Sequence, residues 1–140
     1  MNPMKLFFES RKFALGFLVL LLSAWLVGLQ YDLFFLIKWL DMPFHFLGGF
    51  LVYVLWLAFW KRPEIAMAGP RKIFFLFLAS IGFVMFIGVF WEFFELVLDR
   101  FITHAGLTYL SGVYEDTLSD LLLDFFGGSA AFLLYNRFYD

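Results

Sequence analysis

The chain contains no cysteine, which excludes disulfides, thiolate nucleophiles and cysteine-ligated metal, and leaves the redox compartment undetermined. Charge is nearly as scarce. Only 16% of residues are Asp, Glu, Lys or Arg while 64% are hydrophobic, against about half apolar in a soluble domain. Histidine occurs twice, at His45 and His104, too few for the His- and Cys-rich shells that zinc ordinarily recruits. Also missing are a phosphate-binding loop, a nucleophile elbow, a zincin pair and any nucleic-acid module. What these absences leave is a polytopic membrane protein with no nucleic acid among its expected partners.

Long runs free of charge supply the architecture, because about 17 to 25 apolar residues cross ~30 Å of hydrocarbon. Phe13 to Leu29 is the first. Lys5, Arg11 and Lys12 ahead of it give the look of a signal peptide, but the run outlasts the ~7–15 residues of a signal core and no small-x-small cleavage site follows. Tyr31 to Leu40 is apolar yet broken by Asp32 and Lys38, the composition of a segment lying in the interface. Pro43 to Trp60 is the second span, with Pro43 placed where a helix tolerates it. Lys61, Arg62, Pro63, Gly69 and Pro70 read as a short connector. The third span starts at Ile73 and runs past Trp91 to about residue 97, since Glu92, Glu95 and Asp99 keep helical spacing on one face. Phe101 to Tyr114 reads as a loop. The last span ends near Tyr135, so counting back about 20 residues starts it near Asp116. The expected fold is all-α: one integral membrane domain of four transmembrane helices (13–29, 43–60, 73–97, 116–135) and a short interfacial segment after the first, with Trp39, Trp60 and Trp91 as interface anchors.

The distribution of charge orients the bundle. Lys5, Arg11, Lys12, Lys61, Arg62, Arg71, Lys72 and Arg137 fall on one side and only Lys38 and Arg100 on the other, so both termini are expected in the cytoplasm. The acids do the opposite. Asp32, Asp41, Glu92, Glu95, Asp99, Glu115, Asp116, Asp120 and Asp124 all gather at the outer side, a surplus of negative charge that requires partners.

Within that surplus one phrase is written twice. Asp41-Met-Pro-Phe-His45-Phe-Leu-Gly48-Gly49 is echoed as Asp120-Leu-Leu-Leu-Asp124-Phe-Phe-Gly127-Gly128, at an offset of 79 residues. Residues four apart share a helix face, so each copy presents two ionisable groups one turn apart, followed by glycines where a neighbouring backbone can approach. At 1.5 Å per residue Asp124 lies roughly 17 Å from Tyr135 and His45 roughly 22 Å from Trp60. Both copies therefore occupy the outer halves of spans running in the same direction, as in a parallel repeat about an axis along the membrane normal.

Asp41, His45, Glu92, Glu95, Asp120 and Asp124 together offer hard oxygen donors and one imidazole from three helices, a set suited to a divalent cation such as Mg²⁺, Mn²⁺ or Ca²⁺. Protons shared among crowded carboxylates are the competing account of the same residues. Simpler roles stand beside both. Thr117-Leu-Ser-Asp120 matches a capping box, Asp116 can act as a cap, and Glu92 with Glu95 can be a solvated helix end. His45 can serve by hydrogen-bonding a core carboxylate. Ionisable groups inside a membrane normally face the bundle interior and are functional, which applies most directly to Asp124, the deepest of them.

These residues resemble the VanZ-like membrane proteins, and more closely the YjdF-like branch. The family pattern is Asp-x3-His opening one span, Glu-x2-Gln or Glu-x2-Glu closing the next, and Asp-x3-Asn or Asp with a following Gly in the last. Here they are Asp41 with His45, Trp91-Glu92-Phe-Phe-Glu95, and Asp116-Thr117-x2-Asp120-Leu121-x2-Asp124-x2-Gly127; Glu95 and Asp124 stand where the VanZ form carries Gln and Asn. The resemblance implies a membrane fold of four to five spans and, for VanZ relatives, a part in glycopeptide resistance at the cell envelope. Two functions follow as expectations. One is a cation-dependent enzyme acting on a phosphate- or glycan-bearing lipid or lipid-linked envelope precursor, with His45 or Glu92 as acid and base. The other is a non-catalytic carrier of a lipid, ion or proton using the same carboxylates.

Overall fold

The computed structural model describes residues 3–60, 69–104 and 112–139. Six helices follow in chain order: α1 (Pro3–Phe8), α2 (Arg11–Gln30), α3 (Leu33–Leu36), α4 (Asp41–Trp60), α5 (Gly69–Leu98) and α6 (Val113–Tyr139). Four of them, α2, α4, α5 and α6, are long and apolar enough to cross a membrane. Each expected span lies inside one of these four. The connector expected after Lys61 falls mostly on residues 61–68, outside the described residues. Gly69 and Pro70 were expected in that connector but open α5. Gly69 takes a φ of 65°, which glycine adopts at no steric cost, and Pro70 in the first turn forfeits only an N–H that has no helical partner.

Helix ends follow local chemistry. Ser10 caps α2, its hydroxyl accepting from the Phe13 N–H at 3.3 Å. At the far end of α5 the helix does not stop where apolar sequence gives way. It widens into a π-helical turn over Asp99–Thr103 and closes on His104, which has a φ of 52°, so the loop expected from Phe101 begins later. The interfacial segment contains only the single turn α3, entered through Asp32 at a φ of 53°. Tyr31, Phe35, Leu36 and Trp39 are exposed there.

Topology follows from which residues meet. His45 lies against Asp124 and Tyr53 packs edge-on against Phe132 at 5.9 Å, so α4 and α6 run parallel and hold the same register over both contacts. Trp56 meets Phe83 while His45 meets Glu92, which makes α5 antiparallel to α4. Phe17 on Phe50 and Arg11 on the Ala58 carbonyl make α2 antiparallel to it as well. The core fills the half of the bundle away from the acids, with Tyr53, Val54 and Leu57 of α4, Leu76 and Val84 of α5, and Ala131, Phe132 and Tyr135 of α6. The short α1 closes that end. Phe8 is buried against Phe50 and Tyr135, and the Tyr135 hydroxyl donates to Glu9.

Two glycines set the spacing of the parallel pair. A Cβ added at Gly49 would collide with the Asp124 carbonyl, and one at Gly127 with the Phe46 carbonyl. Backbones this close are typical of membrane helix pairs, where packing rather than water exclusion supplies the association. Gly127→Ala is therefore expected to force α4 and α6 apart and to destabilise by about 1–3 kcal/mol. Gly82→Ala, on a face with nothing within 4 Å, is expected to be neutral or to gain up to about 1 kcal/mol of helix propensity. Thermal melts of the two variants in detergent check this; equal shifts would refute the account of the glycine contact.

Candidate functional site

Helical spacing brings the site together. On α4, Asp41 and His45 are one turn apart and share a face. On α6, Asp116, Asp120 and Asp124 repeat every four residues and form one stripe, and because α6 runs parallel to α4 in matching register the stripe faces His45. Antiparallel α5 delivers Glu92 and Glu95 from its C-terminal end. Each candidate from the sequence therefore faces the same place.

His45 is at the centre, 3% exposed. Its Nε2 lies 3.7 Å from the Asp41 carboxylate, 3.8 Å from Glu92 and 3.8 Å from Asp120. On the other edge of the ring, Nδ1 lies within hydrogen-bond distance of Asp124 Oδ2, at 3.5 Å. Among the described residues, the buried atoms Nε2 of His45, Oε1 of Glu92 and Oγ of Ser129 have no hydrogen-bond partner. Unsatisfied buried polar atoms are uncommon and call for an explanation.

Asp124 is held from three sides. Its backbone abuts Gly49, a Cβ at Gly88 would lie 2.5 Å from its Oδ2, and one at Gly48 would lie 3.7 Å from its Oδ1. The carboxylate thus sits in a slot that two glycines on two different helices leave open.

Electrostatics make this cluster costly without compensation. Two like unit charges 4 Å apart repel by about 4 kcal/mol at an effective dielectric of 20, and here several carboxylates converge on one imidazole. Three overlapping sets of donor atoms lie within 4.8 Å of one another: Asp41, His45 and Glu95; His45, Glu92 and Asp120; Asp41, Asp116 and Asp120. The donor types are oxygen with one nitrogen, which fits a hard or borderline divalent cation. Of the orphaned atoms, His45 Nε2 and Glu92 Oε1 belong to residues of the second set, and Ser129 is in none.

Two spaces adjoin the cluster. One of about 210 Å³ runs between α2, α4 and α5, bounded by Leu18, Leu22, Leu55 and Ile87, and ends at His45 and Asp124. The other, about 840 Å³, lies at the acidic end of the bundle and is lined by Glu92, Glu95, Asp116 and Asp120 with Trp25 and Phe34. Asp41 and Trp25 line both.

Several sequence readings change here. The capping box at Thr117 does not form, because α6 begins at Val113, a full turn earlier; Asp120 is inside the helix and 3% exposed. Asp116 likewise stands past the cap, in one of the donor sets. Its spacing of four and eight from Asp120 and Asp124 was the signal that could have included it. Asp99 is buried beside the larger space. Trp91, expected as an interface anchor, packs on Trp25 with ring centroids 5.2 Å apart and so joins α2 to α5, whereas Trp39 and Trp60 are exposed. His104 is exposed and in none of the donor sets. Gly88 carried no sequence signal at all.

Four apolar spanning helices around a buried acid and histidine cluster define the class: a small polytopic membrane protein with a polar intramembrane site. The chain belongs to the family described as predicted membrane protein (DUF2238), whose model matches residues 6–140. No curated protein and no solved structure matches it.

Removing the central imidazole leaves the facing carboxylates without their shared partner. His45→Ala is expected to destabilise by about 3–5 kcal/mol, the range for breaking a buried pair from one side. His104→Gly, which relieves a positive φ in an exposed residue, is expected to leave stability within about 0.5 kcal/mol or raise it. Melting both in detergent checks the contrast, and a tolerated His45→Ala would show that the imidazole neutralises nothing.

Proposed function

We propose that the protein is a divalent-cation-dependent membrane protein acting on the phosphate- or glycan-bearing head group of a lipid, with lipid-linked precursors of the cell envelope as the substrate class. The observation that carries this reading is the buried, unpartnered Nε2 of His45, aimed at Asp41, Glu92 and Asp120. His45, Glu92 and Asp120 are the first holders of Mg²⁺, Mn²⁺ or Ca²⁺, with Asp41 and Glu95 beside them. Such an ion would supply polarisation of a phosphoryl or carbonyl oxygen and an activated water. Glu92, whose Oε1 is also unpartnered, is the carboxylate placed to accept or return a proton. His45 serves as a ligand through Nε2, so acid–base work falls to the Glu92 carboxylate, which has a second oxygen beside the one that would hold the ion.

The adjoining spaces support a lipid. An apolar cavity that ends at His45 beside a larger acidic space suits a molecule with a hydrocarbon part and a polar head. The resemblance to VanZ-like and YjdF-like proteins points to the same compartment, since the motifs it rests on are the residues of the cluster. A second reading has one observation in its favour. An imidazole flanked by four carboxylates is also the arrangement of a shared proton, which suits a non-catalytic carrier of a proton, ion or lipid.

Metal analysis of the full chain purified in detergent, with and without chelator, separates the two. Retained Mg²⁺, Mn²⁺ or Ca²⁺, a melting temperature that rises with cation concentration as expected for a ligand of the folded state, and loss of both in Asp120→Asn support the cation-dependent reading. Indifference of the wild-type protein to every divalent cation would replace it with the proton carrier.

Orientation belongs to the same reading, because the site must face the envelope. The eight-to-two split of Lys and Arg places both termini in the cytoplasm and the acids at the outer leaflet. A phosphatase reporter fused after Asp140 is expected to be inactive and a cytoplasmic fluorescent reporter active; the reverse would put the cluster on the cytoplasmic side.

A further inference from the structure

The proposed cation reading leaves one residue over. Asp124 is in none of the three donor sets, although it is buried and touches His45. It lies against Nδ1, while Asp41, Glu92 and Asp120 gather about Nε2 on the opposite edge of the same ring. Its backbone abuts Gly49, and a Cβ at Gly88 would lie 2.5 Å from its carboxylate.

We infer that Asp124 is a positioning residue for a cation bound at His45 Nε2: accepting from Nδ1–H, it holds the ring in the orientation that turns Nε2 toward Glu92 and Asp120, and Gly88 is a glycine because any side chain there would displace that carboxylate. This rests on the cation reading above and goes beyond it by assigning a buried acid that reading does not use. The chemistry is general. A histidine binds metal through one nitrogen only if the other carries the proton, and a carboxylate on that N–H fixes both the tautomer and the ring plane. The same bond explains how a buried carboxylate is tolerated so deep in the bundle, and why both glycines beside it face it from different helices.

A double-mutant cycle on Mn²⁺ affinity, measured by electron paramagnetic resonance on the full chain in detergent, tests this. Asp124→Asn is expected to weaken Mn²⁺ by about 10–100-fold. Added to His45→Ala it is expected to weaken it no further, because Asp124 acts only through that ring. Gly88→Ala, which removes no donor atom, is expected to weaken Mn²⁺ in the same way and decides the matter alone if Asp124→Asn does not fold. Because the chain has only two histidines, selective ¹⁵N labelling of histidine in the Mg²⁺-loaded protein reads the tautomer directly, and a proton on Nδ1 of His45 is expected. An additive loss in the double variant makes Asp124 a ligand in its own right and overturns the inference, as does an unchanged affinity in Asp124→Asn or a proton on Nε2. Wild-type protein that binds no Mn²⁺ overturns the cation reading itself, and the inference falls with it.

Discussion

Backbone contact between α4 and α6 is the constraint on which the rest depends. With Gly49 against Asp124 and Gly127 against Phe46, the two helices are closer than side chains would ordinarily let them come. Lipid tails are as apolar as leucine, so nothing resembling water exclusion drives the pair together. Close approach instead yields many small dispersion contacts at once, and it places the two ionisable stripes within reach of each other. Had either glycine been larger, His45 and Asp124 would be separated by more than a hydrogen bond.

The second consequence is electrostatic. Bringing Asp41, Asp120 and Asp124 around one imidazole, and adding Glu92 from α5, concentrates like charge in a region where solvation is poor and each uncompensated charge costs at least a few kcal/mol. A bundle built for stability alone would carry leucine at these positions, since well-packed apolar residues commonly equal or exceed a buried ionic network. The apolar half does so: Val54, Leu57, Val84 and Ala131 close it with no ionisable group among them. The polar half is therefore a feature maintained against stability, which is what a functional site looks like in energetic terms.

How far this was legible in the residues depends on the range of the interaction. Long charge-free runs sufficed for the four helices, because crossing hydrocarbon constrains composition over some twenty residues at a time. The doubled acid phrase sufficed for the convergence of Asp41, His45, Asp120 and Asp124, because helical spacing and parallel direction leave only one way for two such stripes to face. Contacts that depend on a third helix were not legible. Gly88 is one glycine among eleven, and its meaning appears only when α5 is laid against Asp124. Trp91 has the composition of an anchor, yet Trp25 on α2 claims it. The capping box at Thr117 matched a local pattern that was outweighed when α6 extended to Val113, a reminder that local caps compete with helix packing and do not always win.

Among the positions where the two copies of the phrase differ, the most informative is the fifth, His45 in one and Asp124 in the other. In parallel helices related by an axis along the membrane normal, equivalent residues approach each other across that axis, as Tyr53 and Phe132 do further along. Identical residues four places after the acid would then confront their own kind. Two aspartates there would repel, and two histidines would compete for the same acceptors. The chain has His45 in one copy and Asp124 in the other, and these two are the pair that bond across the axis. A repeat that was perfect at this position would have no donor for its acceptor. The departure from symmetry thus lets a symmetric scaffold hold one imidazole in a single orientation, with one nitrogen committed to Asp124 and the other left facing the acids of three helices.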